Sequence, residues 1–104
     1  MAFLTRDSNG NLLNVCKTGA TQVLTVANTT AASTAFAATT THVRVAVSLG
    51  HCHISFGSAP TASITTSIMM PNNHVEVFAV SSGDKIAVIK DSAITSSTLS
   101  VTEL

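Results

Sequence analysis

"HVRVAVS", residues His42 to Ser48, decides how this chain is read. Val43, Val45 and Val47 fall at every second position, with Arg44, Ala46 and Ser48 between them. Side chains of an extended strand point alternately to opposite faces, so this spacing predicts a half-buried strand. The same rhythm runs downstream. "CHISFG" sets Cys52, Ile54 and Phe56 on one side and His53 and Ser55 on the other. "HVEVFAV" alternates Val75, Val77 and Ala79 with Glu76, Phe78 and Val80, which predicts cover on both of its faces. "KIAVIK" is a short apolar run between lysines, and "TLSVTEL" places Leu99 and Val101 on a shared face.

Upstream the signal is weaker. "TQVLTV" reads as a strand around Gln22 to Val26, "STAFA" as a poorer one around Ser33 to Ala37, and Leu12 to Cys16 as a short one. Turn formers separate these runs: Ser8-Asn9-Gly10-Asn11, Asn28, Gly50, Gly57 to Pro60, Pro71-Asn72-Asn73 and Ser82-Gly83-Asp84. "TASITTSIMM" reads either as a loop crossing the end of the domain or as a strand carrying Ile64 and Ile68. The alanines of "TTAASTAFAATTT" favour helix, but its threonines oppose it, and no segment has helical spacing. The expectation is an all-β chain: one antiparallel β-sandwich, jelly-roll-like or Greek-key, of about seven or eight short strands. Phe36, Phe56 and Phe78 are its expected large core fillers.

The 104 residues suit a single domain spanning 1–104, with 1–11 polar enough to form an N-terminal arm that orders on docking. Five basic and five acidic residues leave no net charge and no charged run, which disfavours nucleic acid or an anionic membrane as partner. No window approaches a membrane span, and "MAFLTRDSNGN" does not read as a secretory leader. Charged residues make up 10% of the chain, against roughly 25% in an average soluble domain. So little surface charge at neutrality promotes association, and points to a life spent against other protein.

Chemistry-bearing residues are sparse. His51 and His53 flank Cys52, and if Cys52 faces the core the two imidazoles share the opposite face. Such a pair can reach one metal ion, but a zinc or iron site needs a third ligand. His42, His74 and Glu76 are the candidates in sequence. Cupins follow their His-x-His with a glutamate, where this chain has "ISFG", so that likeness fails. Three copies on an axis would surround one ion with six imidazoles, an arrangement similar to trimeric phage spike tips. The simpler expectation is no metal, with both histidines at a surface or interface.

Cys52 reads as a small core residue and Cys16, beside Lys17, as the more reactive thiol; whether the two are bridged stays open. No nucleophile elbow or close carboxylate pair occurs among Asp7, Glu76, Asp84, Asp91 and Glu103, so no catalytic residue and no cofactor is expected. The chain has neither tryptophan nor tyrosine, which argues against stacking of sugars or unpaired bases. "SIMMPNN" reads as a strand end, or as an adaptable methionine contact.

The succession "HVRVAV", "CHISFGSAPTAS", "MMPNNHVEVFAV", "GDKIAVI" and "TLSVTEL", over residues 42 to 104, resembles small all-β proteins encoded among the virion genes of tailed bacteriophages. The resemblance implies a virion structural component. The first expectation is a capsid decoration (cement) protein, assembled in the host cytoplasm and lying on the capsid surface. It would bind the major capsid protein and copies of itself, commonly as a homotrimer. The alternatives are a trimeric tail-, portal- or fibre-associated module, with or without the His51 and His53 metal site, and a receptor- or sugar-binding sandwich.

Overall fold

The computed structural model describes residues 4–6, 12–16 and 18–104, the first two groups as backbone strands. They form ten strands: β1 (Leu4–Arg6), β2 (Leu12–Cys16), β3 (Thr21–Thr25), β4 (Ala31–Ala32), β5 (His42–Ser48), β6 (Cys52–Gly57), β7 (Ile68–Met70), β8 (Val75–Ala79), β9 (Lys85–Ile89) and β10 (Thr98–Glu103). No helix is present among the described residues. Among the described residues, β1 and β2 pair only with each other. The remainder of the expected 1–11 arm, with the turn at Ser8 to Asn11, lies outside the described residues.

The other eight strands make two four-stranded sheets, ordered β3-β10-β5-β8 and β4-β9-β6-β7, with every pairing antiparallel. The nesting is regular: β3 pairs with β10, β4 with β9, β5 with β8 and β6 with β7. A double ribbon, β3 to β6 running against β7 to β10, is wound into two layers. That winding is the jelly roll, the first of the two expected forms of the sandwich.

Period two selects what lies between the layers. On β5, Val43, Val45 and Val47 are buried while His42, Arg44 and Ser48 are exposed. Registers set Val45 beside Val101 and Val47 beside Leu99 in the first sheet, and Ile54 beside Val88 in the second. These residues join Val26, Phe36, Cys52, Met70 and Ile86 in one core, with Leu24, Phe56, Phe78 and Val80 packed at its margin. Phe56 and Phe78 meet across the layers, their ring centroids 5.1 Å apart. Each fully buried aliphatic contributes about 1.5–3 kcal/mol, so a dozen suffice for one small core.

Three sequence expectations are corrected. Ser33 to Ala37 is not a strand: the short strand is Ala31–Ala32, and beyond it the chain runs as an irregular crossover. Phe36 plugs the core there, and hydrogen bonds hold the backbone to the opposite strand and turn, from Ser33 N–H to the Ile86 carbonyl and from Phe36 N–H to the Asp84 carbonyl. Ile64 does not belong to a strand; a turn closed by Ser67 N–H donating to the Ser63 carbonyl precedes β7. Lastly, β8 is not covered on both faces. It is an edge strand, and its outward Val75 and Val77 stay exposed.

Candidate functional site

The outer face of the β3-β10-β5-β8 sheet is set by its registers. One row across it reads Val23, Ser100, Ala46, Val75, and the next reads Thr21, Thr102, Arg44, Val77. Ser100, Ala46, Thr102 and Arg44 occupy the two central strands, and valines stand on both edge strands. Val23 is 65% exposed, Val75 47% and Val77 54%. In these two rows the only charged side chain is Arg44. Thr21 and Thr102 bond hydroxyl to hydroxyl at 2.9 Å, which satisfies their polar groups without charge. The result is a nearly uncharged surface.

Edge strands of this kind invite unwanted pairing unless they are blunted. β8 carries Glu76 opposite Val45, on its inward side, where the open edge lets the carboxylate reach water. His74 Nε2 lies 3.4 Å from it. An inward-pointing charge disfavours ladder extension while leaving the outer face free for flat contact.

His53 lies on β6 in the other sheet, and His51 immediately precedes that strand; both are half-buried, on either side of the buried Cys52. Their rings stand edge to face, centroids 6.3 Å apart. His53 Nδ1 is 3.3 Å from the Ser67 carbonyl oxygen. A carbonyl only accepts, so Nδ1 is the donor. Met69 sits opposite His53 on β7, and Ile89 opposite it on β9. The other ligand candidates are elsewhere: His42 is on β5, bonded to the Thr41 hydroxyl, and His74 and Glu76 belong to the β8 edge. Both strands are in the first sheet, so no third ligand is recruited from them. Among the described residues no group of three or more metal-binding side chains occurs.

Cys52 is a free, buried thiol between the two histidines. Burial pushes its pKa from 9.0 up to about 11, and a hydrogen bond with Ser97 offsets this only in part. Such a thiol is held neutral and is no nucleophile at physiological pH. The Cys16 side chain and Lys17 lie outside the described residues.

Sequence reading missed Leu49. It occupies the β5–β6 turn with φ of 74° and is 69% exposed. Its "SLGH" context marks a turn through Gly50, and nothing in it tells which residue takes the left-handed backbone. Gly50 is required for close approach instead: a Cβ there would meet the Ser96 carbonyl oxygen and lie 2.5 Å from Ile94 Cγ2.

Comparison with known proteins gives no matching family model, no matching curated protein and no matching solved structure.

Proposed function

We propose that this chain is a bacteriophage virion structural protein, a capsid decoration (cement) module that binds the shell through protein–protein contacts. The observation that carries the reading is the outer face of the β3-β10-β5-β8 sheet, nearly uncharged, with exposed valines at both edges. The low charge of the whole chain and the resemblance of residues 42 to 104 to virion proteins support it. The occupant of this face is the major capsid protein.

Four strands about 4.8 Å apart, each contributing five residues at about 3.3 Å, give a footprint of roughly 300 Å². That is well below the roughly 800 Å² per partner of a standard interface. One such contact is weak. It becomes useful when copies of this chain, meeting as trimers, engage neighbouring capsid subunits together, because linked weak contacts multiply.

Two measurements test the reading. Quantitative mass spectrometry of purified virions is expected to find hundreds of copies per particle; a handful would move the protein to the tail, portal or fibre, and none would remove it from the virion. Val75→Glu and Val77→Glu, which place carboxylates on the face without touching the core, are expected to abolish capsid occupancy while the protein stays folded. Unchanged occupancy would refute the assignment of this face. Glycan binding lost on changing Asn72 or Asn73 would instead support a receptor- or sugar-binding module.

A further inference from the structure

Outside that face, the second sheet carries a pair of imidazoles that the decoration reading does not use. We propose that His51 and His53 form half of a divalent transition-metal site, zinc, nickel or copper(II), which the same pair from a second copy of this chain completes.

Four features lead there. His53 lies on β6 and His51 immediately precedes that strand, with the buried Cys52 between them. Their centroids are 6.3 Å apart. Two imidazoles on one tetrahedral ion, with metal–nitrogen bonds of about 2.0–2.1 Å, place their centroids roughly 5 Å apart, so modest side-chain rotation closes the difference. The hydrogen bond from His53 Nδ1 to the Ser67 carbonyl holds the ring by one nitrogen and leaves Nε2 as the one that can bind an ion. This is the support that metal-bound histidines usually have, a backbone carbonyl holding the nitrogen that does not bind. His51 has no hydrogen-bond partner among the described residues, so its ring is free to turn toward the ion. All-nitrogen donors select zinc, nickel or copper over magnesium or calcium.

The second copy is required because the chain supplies no third ligand among its described residues. Its position is set by what flanks the pair. His53 lies on β6, an interior strand with β9 on one side and β7 on the other, and His51 stands at the start of that strand. An isologous contact between two such copies is two-fold and brings four imidazoles to one ion. Met69, 52% exposed beside His53, and the exposed Ile68 supply the apolar surface that the partner copy covers.

The test uses the full-length, tag-free chain, titrated with zinc chloride and, separately, nickel chloride. Metal content is read by equilibrium dialysis and mass by light scattering. The expected result is one ion per two chains, with the mass of the predominant species doubling on metal addition and returning with a chelator. His51→Ala and His53→Ala should each abolish both effects, with circular dichroism confirming the fold. His42→Ala and His74→Ala, on the other sheet, should leave both unchanged. No metal uptake, uptake that survives loss of His51 and His53, or binding without a change in mass would overturn the proposal. None of these outcomes depends on capsid occupancy, so the site and the decoration reading fail separately.

Discussion

Titrating Cys52 offers a direct test of how the core is closed at the end of β6. The thiol is buried, and its pKa is raised from 9.0 to about 11, chiefly by desolvation. The folded state therefore holds its proton through a pH range in which the unfolded chain has released it. Linkage fixes the sign: the contribution is complete below pH 9, and is lost as pH rises through the window from 9 to about 11. Two units at about 1.4 kcal/mol each amount to roughly 2–3 kcal/mol, of which about 1.4 is gone by pH 10. For a urea m-value of about 1–1.5 kcal/mol/M, the midpoint falls by roughly 1 M between pH 8 and pH 10. The chain has no tryptophan or tyrosine, so far-ultraviolet circular dichroism is the suitable probe. To separate the thiol from every other alkaline effect, the decisive quantity is the difference from Cys52→Ala. That variant should lose stability at neutral pH through lost packing, yet show a markedly shallower alkaline decline. Parallel profiles for the two proteins would refute the account.

Three further outcomes rest on single contacts. Gly50→Ala should cost about 2–3 kcal/mol in urea unfolding, because the added methyl meets the backbone carbonyl of Ser96, which cannot step aside as a flexible side chain would. Leu49→Gly should stabilise by about 0.5–1 kcal/mol, since it relieves a left-handed backbone and gives up little burial; destabilisation would mean that the leucine packs. Glu103→Ala should cost about 1.5–3 kcal/mol, because the carboxylate accepts hydrogen bonds from Ala37 N–H and the Thr40 hydroxyl. Amide exchange in that variant should quicken first across residues 33–41, and a uniform change would argue against a local staple.

How much was legible is clearest strand by strand. β5 and β6 could be read from their alternation because each has one buried face, and a slip of one residue would expose every valine of β5. β4 was not legible: two exposed alanines carry no periodic signal, and only pairing with Val88 and Ala87 makes them a strand. For the histidines, alternation speaks only for His53, because His51 stands just ahead of β6. It could not assign His42, His74 and Glu76 to the other sheet, because sheet membership depends on the winding of the ribbon and not on spacing along the chain.

The sequence by itself determined the class of structure. Short β-branched runs with one apolar face and no helical spacing leave little but a sandwich. The tertiary structure alone decided which way the ribbon winds, that β8 lies at an edge with its valines bare, and that a leucine stands at a left-handed turn. Local preferences fix the face a side chain takes, while exposure depends on which strands arrive beside it from distant parts of the chain.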